Sequence, residues 1–251
     1  MVISELTKKL KKLIIRVKIK IRQKNYNGLP YLYQKNDSNN LLIVFSAFTG
    51  HQRRYNYVTS FNELKCDKLF ILDPWGYLGS YNMYENGEDY PSRITQSLIN
   101  NVITGKQYEK IYTAGTSKGG TAAIFFGLDI GADDIFSGAC QYNLGTYLWR
   151  KEFREIFYGM MGKEAGEKEV ELLNHSLRDK LRKNNGTRST IHVFYSRKEL
   201  TYERQIIDLL HDLKEFEIPF RDVEADFDKH EDVAKPFVDY VISFFNRYKN
   251  E

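Results

Sequence analysis

The residues Gly115-Thr116-Ser117-Lys118-Gly119 have the spacing G-x-S-x-G. A serine hydroxyl is a weak nucleophile until a neighbouring base takes its proton. This spacing sets Ser117 at the tip of a sharp turn where a strand hands over to a helix. Gly115 and Gly119 are small because the strand and helix must pass close to that tip. The helix start offers unpaired backbone N–H groups and the positive end of a dipole beside the serine. The N–H of Lys118 is therefore a candidate oxyanion donor. The bare pattern is only moderately specific. Its context sharpens it, because an apolar run precedes it and the small-residue helix Gly119-Gly-Thr-Ala-Ala-Ile-Phe-Phe follows. A glycine-rich turn without chemistry is the alternative. A phosphate-binding loop is disfavoured, since that pattern needs Gly-Lys-Ser/Thr and here Lys118 precedes Gly119.

A second cluster is the long run from Asp73 to Gly87, dense in Tyr, Trp, Asn and Gly. Following a strand, it belongs at the C-terminal edge of the sheet, on the side of Ser117, where open α/β sheets bind ligands. Aromatic rings with polar amides suit a sugar face and its hydroxyls, making Asp73, Trp75 and Tyr81 candidate substrate-binding residues. A loop that merely covers the core reads equally well.

These groups need a scaffold. Apolar runs of strand length occupy 41–46, 68–73, 110–115, 135–139 and 190–195, and 28–33 suits an antiparallel edge strand. Helical patterns fill 93–104, 120–128, 202–216 and 233–247. Strand and helix in alternation predict an α/β fold with a mostly parallel central sheet flanked by helices. Residues from about 144 to 184 carry charged helical sequence without a strand, which predicts a helical insertion before the penultimate strand. No repeat or proline-rich linker appears, so residues 25–251 are expected to form a single domain.

The chain has 251 residues, 42% hydrophobic and 28% charged, which excludes disorder for most of it. Cys66 and Cys140 cannot make a disulfide scaffold and lack metal-site spacing, so neither a metal nor a cofactor is expected. No apolar run reaches the roughly 18 residues of a spanning helix, and no signal peptide is visible, so a cytoplasmic protein is expected. The net charge is +4, yet residues 1–24 alone hold nine Lys and Arg against Glu5, leaving the remainder acidic. Within that segment Leu6, Leu10, Leu13, Ile14 and Val17 recur at helical spacing. Val17, Ile19 and Ile21 then alternate, which predicts a strand there. A basic amphipathic segment can lie on an anionic membrane surface; a helix docked on the body is the plainer reading. Nucleic acid is not an expected partner, because the body is acidic and carries no recognised binding motif.

The elbow and the strand order resemble the α/β-hydrolase superfamily. In that superfamily the triad runs serine, acid, histidine along the chain. The resemblance implies Ser117 as nucleophile and His230, in the loop before the last helix, as base. It implies an acid just after the strand at 190–195, where Glu199 is the first choice and Glu203 the second; Asp226 and Asp228 are read as shaping the histidine's loop. It places a second oxyanion donor after the early strand, at Phe48 or Thr49, with His51, Arg53 and Arg54 around the entrance.

More narrowly, the Phe-Thr-Gly loop at 48–50, the Asp73 loop with Gly-Ser-Tyr, and Gly-Thr-Ser-Lys-Gly-Gly-Thr-Ala-Ala from Gly115 look similar to a branch of bacterial proteins. These are hydrolase-like proteins of capsular polysaccharide loci and the acyl-transferring component of the accessory secretion pathway for glycosylated adhesins. The resemblance covers about residues 40–245. It implies ester cleavage or acyl transfer, with acetyl as the expected group, on a cell-surface glycan. The competing reading is a non-catalytic scaffold of the same shape that binds a glycan or partner protein at the membrane surface.

Overall fold

The structure is a computed structural model that describes residues 2–247, with side chains at position 10 and from 13 on. An N-terminal helix, α1 (Val2–Arg22), leads into an eight-stranded sheet. Its strands are β1 (Lys24–Tyr26), β2 (Leu29–Gln34), β3 (Asn40–Phe45), β4 (Asp67–Ile71), β5 (Lys110–Thr116), β6 (Asp134–Gly138), β7 (Thr190–Tyr195) and β8 (Phe220–Glu224). They lie in the order β1-β2-β4-β3-β5-β6-β7-β8. β1 and β2 pair antiparallel, β2 joins β4 antiparallel, and every pairing from β4 to β8 is parallel. Helices α2 (Tyr90–Gly105) and α3 (Lys118–Asp129) flank β5 in sequence, α7 (Ile207–Glu215) precedes β8, and α8 (Ala234–Arg247) follows it.

β3 explains why continuous apolar runs form the central strands. Leu41, Ile43 and Phe45 join a core with α2, α3, α7 and the helix Glu167–Lys183, whereas Leu42 and Val44 face a second core with Phe61, Phe237, Val241 and Phe244. A strand covered on both faces has no position left for a polar alternation. β8, at the exposed edge, reads Phe-Arg-Asp-Val-Glu and is half open to water, so it lacks that signal.

Between β6 and β7 lie α4 (Leu144–Leu148), α5 (Arg154–Met161) and α6 (Glu167–Lys183). They form a third core with Tyr81 and Met83 of the loop after β4. That loop is pinned to α5 by the N–H groups of Asn86 and Gly87, which donate to the carbonyls of Gly159 and Met160 at 3.2 and 2.8 Å. The loop and the insertion thus form one cap beside the C-terminal ends of the parallel strands.

The alternation of Val17, Ile19 and Ile21 does not make a strand; α1 runs through to Arg22. Val17 and Ile21 are four apart and share one helix face, while Ile19 points to the body, so the same residues satisfy both periods. The side chains of Leu6, Lys8, Lys9, Lys11 and Lys12 lie outside the described residues. No described helix is long and apolar enough to cross a membrane.

Candidate active site

The elbow is built by two close approaches. A Cβ on Gly115 would stand 2.2 Å from the Gly119 carbonyl oxygen, and one on Gly119 would stand 2.4 Å from that of Phe45. Only glycine lets β5, α3 and the end of β3 come this near. Ser117 takes the bend itself, at φ 53° and ψ −126°, a region that L-residues rarely adopt. Its N–H donates to the Gly138 carbonyl at 2.7 Å, and its own carbonyl accepts from Gly120 at 2.9 Å and Thr121 at 3.1 Å.

Ser117 Oγ lies 2.8 Å from His230 Nε2. On the other side of the ring, His230 Nδ1 lies 3.4 Å from Glu199 Oε1 and 3.3 Å from Thr201 Oγ1. The Thr201 hydroxyl donates to Glu199 Oε2. This arrangement suits the tautomer in which Nδ1–H points to the carboxylate and hydroxyl, leaving Nε2 to accept the serine proton. Burial alone would raise the Glu199 carboxyl, but hydrogen bonds from His230 and Thr201 outweigh it and hold it below the usual carboxylate range. A carboxylate that stays ionised can orient the imidazole and stabilise the imidazolium. Glu203 is exposed on a π-helical turn at Tyr202–Ile206, and Asp226 and Asp228 pair with Lys198 at 2.6 and 3.7 Å.

The cleft over Ser117 has a volume of about 380 Å³ and an apolar floor with few polar groups. Its walls come from the loop after β3 (Phe48, Tyr57), the loop after β4 (Gly79, Tyr81) and the insertion (Tyr147, Phe153). Phe48 lines it and Thr49 does not; the Thr49 hydroxyl donates to the Gln52 carbonyl and accepts the Arg54 N–H. The Asn56 side chain accepts the N–H of Ala47 at 3.0 Å, fixing the loop that carries Phe48. Among the described residues no backbone carbonyl takes up the N–H of Lys118 or Phe48. A tetrahedral oxyanion requires such donors beside the serine, and both residues line the cleft that holds it.

Of the expected substrate-binding residues, the structure brings Tyr81 to the cleft wall. Trp75 turns into the core, edge-on to the Tyr90 ring at 5.3 Å. His51 is exposed and sits against Tyr77, and Arg54 reaches Gln52. Arg53 donates to the carbonyls of Pro74 and Gly76, bracing the loop after β4. Asp73 is buried and pairs with the Lys118 ammonium at 2.5 Å, while also accepting the Ser80 N–H at 2.7 Å. Burial lowers the Lys118 ammonium from its ordinary value, and the Asp73 carboxylate works against that. Lys118 lines the cleft, and its side chain locks the elbow to the loop after β4.

Gln141 was not among the residues expected at the site. Its Nε2 donates to Ser117 Oγ at 3.2 Å, its Oε1 accepts from the Tyr81 hydroxyl at 3.4 Å, and its main chain is held at both ends by the Thr121 hydroxyl. A second cleft of about 440 Å³ shares Tyr147, Phe153 and His230 with the first and is lined further by Arg150, Glu199, Thr201 and Arg204. His230 is thus reached from two sides.

No protein-family model and no curated protein matches the chain. Solved structures do. The capsule O-acetyltransferase of Neisseria meningitidis serogroup A aligns at TM-score 0.75 and 20% identity, over 89% of this chain and 93% of that one. A histidine-to-alanine variant of that enzyme, in complex with CoA, aligns at 0.71 and 19%, over 89% and 94%. The glycosylation-associated Gap123 complex of Streptococcus agalactiae aligns at 0.72 and 17%, over 88% of this chain and 44% of that one. FphF, a fluorophosphonate-binding serine hydrolase of Staphylococcus aureus, aligns at 0.62 and 14%, over 86% and 91%. The chain therefore has the α/β-hydrolase fold, in a form shared by an O-acetyltransferase and by serine hydrolases.

Proposed function

We propose that the protein is a serine acyltransferase or esterase that moves an acetyl group to or from a hydroxyl of a cell-surface glycan. The observation that carries this reading is the line Ser117 Oγ, His230, Glu199, with 2.8 Å between the serine oxygen and the imidazole Nε2. His230 takes the Ser117 proton as Oγ attacks the ester or thioester carbonyl. The N–H groups of Lys118 and Phe48 receive the negative oxygen. The tetrahedral intermediate collapses with loss of the leaving alcohol or thiol, which takes the proton from His230. A sugar hydroxyl or water, deprotonated by His230, then releases the acyl group from Ser117 and restores the serine.

Transfer is supported by the setting of His230 between two clefts. One can seat the donor and the other the acceptor, and the aromatic walls Tyr147 and Phe153 keep water from the acyl-enzyme. The CoA complex of the capsule O-acetyltransferase makes acetyl-CoA the donor to try first. A cytoplasmic location, where activated acyl donors and glycan precursors occur together, goes with this reading. The test is acetyl release from p-nitrophenyl acetate and from acetyl-CoA, with and without de-acetylated capsular glycan. Ser117→Ala should lose at least about a thousandfold in rate while keeping its circular dichroism spectrum. Unchanged turnover in that variant would overturn the assignment and favour a glycan- or protein-binding scaffold.

A further inference from the structure

The helix α1 carries its apolar residues on the wrong side for docking on its own domain. At about 100° per residue, Leu10, Leu13, Ile14, Val17 and Ile21 fall within one stripe about 100° wide. All five are exposed, Ile21 to 78%. Ile19 lies on the opposite face, and it is this residue that packs against the body. Ile15, Lys18, Ile19 and Ile21, with Leu32 and Val58, line the groove between helix and domain, so the stripe comes near the body only at its C-terminal end, through Ile21. The body is therefore already served by one face of the helix, and the second apolar face, from Leu10 to Val17, is turned away from it.

Charge decides what covers that second face. Lys18 and Lys20 stand about 90° and 70° to either side of the stripe's centre line, and both are exposed. Residues 1–24 hold nine cations and one anion. A second copy of the same helix would bring like charges together along both flanks of an apolar seam. An anionic bilayer accepts both features, because the stripe enters the acyl boundary while the flanking lysines reach up to the phosphates. We infer that α1 is an interfacial anchor, which lays the apolar stripe from Leu10 to Ile21 into a membrane surface rich in acidic phospholipid. This is independent of the chemistry at Ser117. It would hold the domain against the surface where membrane-bound glycan precursors are found.

The test is co-sedimentation of the full chain with vesicles of neutral phosphatidylcholine alone, and with one-quarter phosphatidylglycerol. Binding should be confined to the anionic vesicles and weaken as salt rises. Lys18→Gln and Lys20→Gln should each weaken it about fivefold. Leu13→Glu with Val17→Glu should abolish it, while fluorophosphonate labelling stays at the parent rate, showing that the domain is intact. Failure of the parent chain to bind anionic vesicles would overturn the inference. So would equal binding by the Leu13→Glu, Val17→Glu variant. A dimer in sedimentation equilibrium that this variant dissolves would also overturn it, and would assign the stripe to a second copy.

Discussion

Replacing Asp73 by Asn should destabilise the protein far more than its small change in shape suggests. Asp73 and Lys118 are 2% and 6% exposed, and their charged atoms are 2.5 Å apart. Asparagine keeps an acceptor for the Ser80 N–H but leaves the Lys118 ammonium buried without its counter-charge. Breaking a buried pair from one side costs about 3–5 kcal/mol. For a chain of this size each kcal/mol lowers the melting temperature by about 2–4 °C, so the fall should be roughly 6–20 °C. The pH dependence has a definite sign. A buried lysine with a lowered pKa binds fewer protons in the folded chain than in the unfolded one. Stability therefore rises with pH between the two pKa values, and the deficit of Asp73→Asn should shrink as pH rises towards the ordinary lysine range. Adding Lys118→Met removes the stranded charge and should recover part of the loss, with a coupling of about 1–3 kcal/mol. Urea unfolding at several pH values measures all of this. A cost under about 1 kcal/mol for Asp73→Asn, or simple additivity in the double variant, would refute the argument.

Three further outcomes follow from the same geometry. Gly115→Ala should cost more than about 4 kcal/mol, because the three atoms nearest the added methyl are all backbone of Gly119; Gly105→Ala, with open space around it, serves as the control in the same urea titration. Thr201→Val should slow fluorophosphonate labelling by about 10- to 100-fold and cost about 1.5–3 kcal/mol in urea unfolding, since it deletes one hydrogen bond to an ionised, buried carboxylate. The Glu199 carboxyl is held below its ordinary value of 4.5, so its contribution to stability is fully present at neutral pH and is lost as pH falls through the lower, folded value. The stability gap between the parent chain and Glu199→Gln should accordingly be present at neutral pH and close in strong acid.

What the sequence made legible divides along physical lines. The elbow could be read because much of its constraint is local: the 2.2 Å approach at Gly115 lies within one strand–turn–helix, while the 2.4 Å approach at Gly119 brings in β3. The α/β architecture could be read because β3, β4 and β5 are largely buried on both faces and so carry mostly apolar runs, although buried Asp67 and Lys68 open β4. β1, three residues long, and β8, half exposed at the sheet edge, carry no such pattern. The loop from Asp73 was legible as a loop beside the serine, but composition does not say which way side chains turn. Tyr81 faces the cleft, Trp75 fills the core, and Asp73 is spent on Lys118. Gln141 and Thr201 reach Ser117 and His230 across 24 and 29 residues, and nothing in their own neighbourhoods marks them. The helical spacing of α1 was visible; which face it turned to its own domain required the position of Ile19.

The central claim is that Ser117 is an activated nucleophile. It is tested most directly by treating the purified full chain with a fluorophosphonate and mapping the modified peptide by mass spectrometry. The account expects one label, on Ser117, and its loss in folded His230→Ala. A folded parent chain that takes no label, or a label on Ser117 that persists unchanged without His230, would contradict it.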